Sequence, residues 1–107
     1  MKKIINGVRY DSEKGIEIAS ADSGHYQGDL DWWEETLYKA PRSERYFIIG
    51  EGGPRTHYSR RTSSNSWSGG SDLRPVEKDE ALRWLEENKI EITDEIATYF
   101  SDMIQDA

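Results

Sequence analysis

The chain has 107 residues, no cysteine and a formal net charge of −7, with 33% charged and 11% aromatic residues. This length predicts a single domain, 1–107, and the aromatic content argues against a disordered chain. The lack of cysteine excludes disulfides, thiolate nucleophiles and zinc–sulfur sites, and it fits a cytoplasmic location.

No segment has the pattern of a signal peptide or a membrane span. The start, MKKII, has two apolar residues after its lysines, whereas a signal peptide needs an apolar core of roughly 7–15 residues. The longest strongly apolar run is residues 46–49, far below the ~18 residues that cross a bilayer. The sequence therefore predicts a soluble protein without membrane contact.

The first half of the chain, residues 1–50, predicts β-hairpins. Short apolar runs flank Asn6-Gly7, a strong signal for a tight hairpin turn because both turn positions adopt positive φ. Residues 16–20 alternate apolar and polar side chains, as a half-buried strand does. The turn-rich residues 21–31 then predict a loop.

The clearest predicted element is a hairpin formed by residues 32–39 and 45–49, joined by a proline-containing turn. Side chains alternate along its first strand, so Trp33, Glu35 and Leu37 share one face while a second Trp and a Tyr share the other. Because both faces carry an aromatic side chain, we expect both faces of the sheet to be covered in part.

Residues 51–72 predict a long loop rich in Gly, Ser and Arg, and residues 73–76 predict a last strand that Pro75 limits to a sheet edge. The loop does not match a phosphate-binding motif, because in a G-x-G-x-x-G pattern counted from Gly50 the third glycine falls on Arg55. We interpret the glycines as a tight turn that ends the preceding strand.

Residues 77–105 predict two helices, the first over about 77–88 and the second beginning at Thr93, a good N-cap. Apolar residues of the second helix follow the i, i+3, i+4, i+7, i+8 spacing of an amphipathic helix: Ile96, Tyr99, Phe100, Met103 and Ile104. The predicted fold class is therefore α+β. It is a small antiparallel β-sheet of about four to five strands, with two C-terminal helices packed on one face.

Six side chains of the predicted loop are cationic or aromatic and are candidates for contact with a partner: Arg55, His57, Tyr58, Arg60, Arg61 and Trp67. Arginines with aromatic residues are typical of sites that contact phosphates and stack bases. Three uses stay open: ion pairs with the acidic helices, a surface for a protein partner, and direct contact with nucleic acid. The net negative charge disfavours the last, because phosphate repulsion acts over a Debye length of ~8 Å.

Trp67 lies among small residues, Ser66, Ser68, Gly69 and Gly70, and this context has two interpretations. Small neighbours let the backbone pass close over a buried indole, so we expect Trp67 to fill the core. The alternative is an exposed anchor for a partner, because Trp and Arg are enriched in binding hot spots.

Negative charge is concentrated in the last third of the chain. Residues 77–107 contain three Lys or Arg and ten Asp or Glu, whereas residues 51–76 contain four and two. Five carboxylates flank the predicted turn between the helices: Glu86, Glu87, Glu91, Asp94 and Glu95. Such a surface either keeps a protein soluble or enters a basic groove of a partner by charge complementarity.

The sequence contains no recognisable pattern of catalytic or metal-binding residues. Histidines His25 and His57 lie in polar segments, and no G-x-S-x-G elbow is present. Glu34 and Glu35 are adjacent on a predicted strand, so they point to opposite faces and cannot act as an acid/base pair. His25 and the nearby aspartates are interpreted as exposed loop residues rather than metal ligands. We therefore predict no enzyme, no cofactor and no metal.

Five short blocks occur in order along the chain: IINGVRYD (4–11), ETLY (35–38), GEGGP (50–54), WSGG (67–70) and EALRWLE (80–86). As an ordered set, these blocks resemble a widespread family of small accessory proteins of phages, prophages and other mobile elements. The resemblance covers about residues 3–87. It departs at Glu77, where the family tends to have a Ser that could cap the helix.

This resemblance implies a context rather than a reaction, because it brings no active site with it. Small acidic proteins of mobile elements often act by binding, and inhibitors of CRISPR or restriction machinery are one recurrent class. The resemblance thus implies a non-catalytic inhibitor of the anti-CRISPR or other anti-defence type. Its acidic helices would occupy a basic nucleic-acid-binding groove, with the Arg/Trp loop as a second contact. The alternative is a nucleic-acid-binding accessory protein that uses residues 55–67.

Overall fold

The computed structural model describes residues 1–107 and has an α+β fold of eight strands and two helices. The elements are β1 Lys2–Ile5, β2 Val8–Asp11, β3 Ile16–Asp22, β4 Trp33–Lys39, β5 Tyr46–Gly52, β6 Arg60–Ser63, β7 Ser66–Ser68, β8 Gly70–Val76, α1 Lys78–Glu87 and α2 Asp94–Tyr99. Three antiparallel sheets form: β1-β2, a central sheet in the order β3-β4-β5-β8, and β6-β7. The predicted fold class is confirmed, but the eight strands exceed the predicted four to five, and β6 and β7 lie in the segment that was expected to be a loop.

The β1–β2 hairpin turns at Asn6-Gly7, as the sequence predicts. Both turn residues have positive φ, 52° at Asn6 and 78° at Gly7. The hairpin covers one face of the central sheet, where the Tyr10 and Phe47 rings meet edge to face with centroids 5.5 Å apart. Leu73 of β8 completes this smaller core.

The opposite face of the central sheet carries the main core, which both helices cover. Nine buried side chains form it: Leu37, Tyr46, Ile48, Val76, Ala81, Trp84, Leu85, Ile96 and Phe100. Burying a large apolar side chain of this kind contributes roughly 1.5–3 kcal/mol. Both faces of the sheet are therefore covered, as the aromatic residues on both faces of β4 indicated.

Helix α1 begins after Glu77, its N-cap residue. The Glu80 side chain accepts a hydrogen bond from the Glu77 backbone N–H at 3.2 Å. Asp79 and Glu80 also lie in the first turn, at the positive end of the helix dipole. These carboxylates stabilise the start of the helix without a capping hydroxyl.

Helix α2 begins as predicted, because Thr93 Oγ1 accepts a hydrogen bond from the Ile96 backbone N–H at 3.3 Å. It ends at Tyr99, however, so the prediction of a helix reaching 105 is wrong. Neither α1 nor α2 has the length and apolar character needed to cross a membrane.

The early end of α2 follows from the residues beyond it. Asp102 lies 2.8 Å from Lys78 Nζ, at the start of α1, and serine and aspartate at 101–102 compete for the backbone hydrogen bonds of a helix. Met103 and Ile104 are consequently 36% and 39% exposed instead of forming a buried stripe.

The segment 51–72 is not one loop, in contrast to the prediction. Strands β6 and β7 form a two-stranded ribbon, here called the β6–β7 ribbon, in which Arg61 pairs with Trp67. Strand β8 begins at Gly70 and lies at the edge of the central sheet, as Pro75 predicted. The ribbon has no apolar alternation because nearly all its strand residues are exposed, so the usual sequence signal is missing.

Candidate functional site

Glu35 is the one charged side chain in the interior, with 6% of its surface exposed. It lies on β4 between Trp33 and Leu37, and its register partner on β5 is Gly50. The neighbouring Glu34 is exposed, which confirms that the two glutamates point to opposite faces. The sequence did not reveal that Glu35 would be buried beneath α1.

Four side chains surround the Glu35 carboxylate. The Tyr58 hydroxyl donates to Oε2, His57 Nε2 lies 3.3 Å from the same oxygen, and Trp84 Nε1 donates to Oε1 at 2.9 Å. The nearest guanidinium nitrogen of Arg74 lies 3.9 Å from Oε2. These five residues, called here the Glu35 cluster, join β4, the β5–β6 connection, β8 and α1.

The cluster keeps Glu35 ionised. Burial opposes its ionisation, because the charged form loses water. Hydrogen bonds from Tyr58, Trp84 and His57, in decreasing order of effect, outweigh that cost. Together with the positive charge of Arg74 they lower the pKa of Glu35 below its ordinary value. Burial and then the hydrogen bond to Glu35 raise the pKa of the Tyr58 phenol, which stays neutral.

Gly50 makes room for the cluster. A Cβ at Gly50 would overlap the Tyr58 hydroxyl, so Tyr58 reaches Glu35 because residue 50 has no side chain. Gly50 and Gly52 lie within β5, so their interpretation as a turn that ends the strand is wrong. The glycines permit close packing over the sheet instead.

An open cleft of about 370 Å³ lies beside the cluster, between the β5–β6 connection and β8. Its polar lining includes His57, Ser59, Arg60, Ser71, Asp72 and Arg74. A second depression, of about 190 Å³, lies on the other side of Arg74 against α1. Arg74 lines both the cleft and this depression and therefore lies between them.

The loop arginines do not pair with the acidic helices, so that interpretation is wrong. Arg60 donates to the Ser71 carbonyl oxygen at 2.7 Å, and Arg61 donates to carbonyl oxygens of its own ribbon. Arg55 lies 3.8 Å from Asp31. The two arginines of the ribbon therefore donate to nearby backbone carbonyl oxygens and not to the carboxylates of the helices.

Trp67 is 56% exposed, so the expectation that it fills the core is wrong. The Arg61 guanidinium carbon lies 5.9 Å from the centroid of the indole, in a cation–π arrangement. A two-stranded ribbon has no second layer to bury an indole. The small residues after it serve another purpose, since a Cβ on Gly69 would collide with the Gly52 carbonyl oxygen.

The structure brings the five predicted carboxylates to one corner of the fold. Glu86 and Glu87 end α1, Glu91 lies in the connection, and Asp94 and Glu95 begin α2. All five are exposed, and none takes part in an ion pair. These five residues are called the acidic surface below.

The remaining predicted residues are divided between two places. Tyr58, 8% exposed, and Arg60 belong to the cleft, whereas Arg61 and Trp67 lie on the β6–β7 ribbon. The sequence missed Glu35, Arg74 and Trp84 as members of one cluster. A signal was present in the strand period. Glu35 lies two residues before Leu37 and Arg74 lies two residues before Val76, so each shares a strand face with a residue of the main core.

No group of three or more His, Cys, Asp or Glu side chains is arranged to hold a metal ion. His25 lies 3.9 Å from Asp29, while Asp31 faces Arg55 instead. His25 and the aspartates near it therefore form two separate pairs rather than one cluster.

Comparisons of the chain with protein-family models, curated proteins and solved structures found no match. The resemblance to accessory proteins of mobile elements therefore stays a prediction. Function is inferred from the contacts, burial and charges described above.

Proposed function

We propose that the protein is a non-catalytic, cytoplasmic binding protein of phage or mobile-element origin. It acts as an inhibitor of the anti-CRISPR or other anti-defence type, and its acidic surface occupies a basic nucleic-acid-binding groove of a partner protein. One observation carries the proposal: all five carboxylates of that surface are exposed and free of ion pairs. Their charge is therefore available to a basic partner.

Some other carboxylates of the chain form ion pairs within the protein. Asp72 pairs with Lys3 at 3.0 Å, and Lys78 contacts both Asp102 and Glu44, at 2.8 and 3.1 Å. The acidic surface has no such partners, although it contains five carboxylates within ten residues. A concentration of unpaired charge favours a role in recognition over one in folding.

The placement of Glu86 and Glu87 also supports binding. Both lie in the last turn of α1, which contains no basic residue, so their charges oppose the helix dipole. Buried Trp84 and Leu85 hold this turn against the sheet and fix the spacing of the carboxylates. A preorganised surface loses less entropy when it binds.

The Glu35 cluster favours a structural role over acid–base catalysis. Both carboxylate oxygens of Glu35 are occupied by donors within the protein. The neutral Tyr58 phenol donates a hydrogen bond to that carboxylate and has a raised pKa, which disfavours a role as a nucleophile.

The test is binding to purified nucleic-acid-guided effector proteins at ~50 and ~300 mM salt. Replacing the acidic surface by Glu→Gln and Asp→Asn should weaken binding by about tenfold or more, since close interfacial charge pairs contribute ~1.5–7 kcal/mol. Binding of the unmodified protein should also weaken as salt rises.

A matched control removes the same charge elsewhere. Five other exposed carboxylates without ion pairs are suitable: Glu13, Glu17, Glu34, Glu51 and Asp106. This control variant should bind as the unmodified protein does. Equal capture of both variants would contradict the proposed use of the acidic surface.

A second candidate function is direct nucleic-acid binding through the β6–β7 ribbon. The exposed indole of Trp67, with Arg61 over its face, favours it, because such pairs stack on bases and contact phosphates. Trp67→Ala and Arg61→Gln should abolish a gel shift of single-stranded nucleic acid at ~50 mM salt, whereas Arg42→Gln, in an exposed turn, should not. Absence of any shift at that salt would end this alternative.

A further inference from the structure

The cleft beside the Glu35 cluster is rich in hydrogen-bond donors. Arg74 lines it and has a half-exposed side chain, which lies 3.9 Å from Glu35 and beside the Tyr58 hydroxyl and uses only part of its five N–H donors there. Arg60 uses one guanidinium nitrogen for the Ser71 carbonyl oxygen and has further donors free. His57 contacts Glu35 through Nε2 and has its other ring nitrogen without a partner.

Acceptors in the same cleft are few. Asp72 is its one lining carboxylate, and its charge is paired: Oδ1 accepts from Lys3 Nζ at 3.0 Å and from the Leu73 backbone N–H at 2.9 Å. Glu35 lies behind the lining and is saturated by its own donors. The two guanidinium groups of the lining, Arg60 and Arg74, therefore outnumber its one carboxylate.

The donors are also held in place. Glu35 orients His57 and Tyr58, and Arg60 is tied to the backbone of β8, the strand that carries Arg74. Two guanidinium groups from different strands therefore face one cleft without closing it. An anion that entered would meet donors already positioned, which reduces the entropic cost of binding.

We propose that this cleft binds a phosphate group of a small molecule, with Arg60 and Arg74 as the main ligands. Planar guanidinium groups match phosphate oxygens with paired hydrogen bonds, and the hydroxyls of Ser59 and Ser71 line the same cleft. A volume of about 370 Å³ lies within the range of small-molecule sites, ~300–1,000 Å³. This site is independent of the acidic surface.

The experiment titrates the protein with inorganic phosphate and, separately, with adenosine monophosphate and adenosine. Ionic strength is held constant with chloride, and binding is followed by ³¹P NMR and by the His57 ring resonances. Saturable binding near or below ~1 mM is expected for a phosphate-bearing probe. Tighter binding of the nucleotide than of phosphate assigns the site to a phosphomonoester, and equal binding assigns it to the free ion.

Variants locate the site. Arg60→Gln and Arg74→Gln should each weaken binding by about tenfold or more, because hydrogen bonds to charged groups contribute ~1.5–3 kcal/mol. Arg42→Gln, in the exposed turn between β4 and β5, should leave binding unchanged. Arg60 is exposed, so its variant tests the site even if Arg74→Gln disturbs the Glu35 cluster.

Three results would overturn the proposal. One is the absence of saturation by phosphate or nucleotide up to ~50 mM, a concentration far above the expected dissociation constant of ~1 mM. Another is equal affinity of Arg60→Gln and the unmodified protein. The third is binding of adenosine as tight as that of its monophosphate, since the phosphate would then contribute nothing.

Discussion

Glu35 is a charge in the interior that the protein retains by surrounding it with donors. Tyr58, His57, Trp84 and Arg74 all approach its carboxylate, and no buried side-chain polar atom lacks a hydrogen-bond partner. A buried charge with its partners is close to neutral for stability, whereas removing one side of the arrangement costs ~3–5 kcal/mol. Glu35 on β4 therefore holds three other segments in place: the β5–β6 connection, β8 and α1.

Glu35→Gln should lower the free energy of unfolding by about 2–4 kcal/mol at pH 7, because an amide nitrogen would face groups that donate. Urea unfolding followed by Trp fluorescence measures the change. The neighbouring Glu34→Gln is the matched control, since Glu34 is exposed, and it should change stability by less than ~0.5 kcal/mol. Equal effects of the two substitutions would contradict the role given to the buried carboxylate.

The lowered pKa of Glu35 also predicts how its contribution varies with pH. The folded protein binds the proton less readily than the unfolded chain, whose glutamates titrate near ~4.3. The stabilisation is thus complete above that pH and is lost as pH falls through the lower pKa of the folded state. The gap between the unmodified protein and Glu35→Gln should shrink between pH 7 and pH 3, as measured by urea unfolding. A gap that stays constant over this range would count against the ionised state.

The β6–β7 ribbon is the element that differs most from expectation. Its strands contain Ser, Thr and Arg rather than alternating apolar residues, and Trp67 lies on its surface. Isolated two-stranded hairpins are marginally stable, so this ribbon depends on the strands that flank it. It is therefore suited to contact a partner without carrying the core.

Trp67→Ala should consequently change the free energy of unfolding by less than ~1 kcal/mol, because the exposed indole buries little area. Trp84→Ala is the contrasting variant. It removes a 6% exposed side chain and the hydrogen bond to Glu35, so it should cost ~3–5 kcal/mol. Thermal or urea unfolding of both variants compares them directly. A large loss on Trp67→Ala would place the indole in the fold rather than on a binding surface.

Over the whole molecule, the net charge of −7 is unevenly distributed, and the acidic surface holds five of the ten carboxylates of residues 77–107. Mutual repulsion among these carboxylates opposes folding, and Glu86 and Glu87 also oppose the dipole of α1. The protein keeps Glu86 and Glu87 although their charges disfavour the folded state. Retention of charge against stability supports a role in binding.

Neutralising Glu86, Glu87 and Glu91 to Gln should therefore raise the melting temperature at low salt by a few degrees, about 4–8 °C per kcal/mol for a domain of this size. Salt should reduce the difference, because the Debye length falls to ~8 Å at physiological ionic strength. Calorimetry at ~10 and ~300 mM salt measures both effects. A lower melting temperature for the variant would mean that these carboxylates stabilise the fold.

Local signals were enough to identify the elements that depend on neighbouring residues. Asn6-Gly7 identified the first hairpin, Thr93 the start of α2, and the alternation along β4 its two covered faces. Each signal works through backbone dihedrals, a cap or a side-chain period within a few residues. The α+β class followed from such signals in their order along the chain.

Only the tertiary structure decided where the polar groups meet. The three hydrogen-bond partners of Glu35 lie 22, 23 and 49 residues away in sequence, and no local period relates them to it. The exposure of Trp67 and the early end of α2 likewise depend on which layers and ion pairs are within reach. Burial and charge pairing are properties of segments brought together through space, whereas turns, caps and strand faces depend on the adjoining residues.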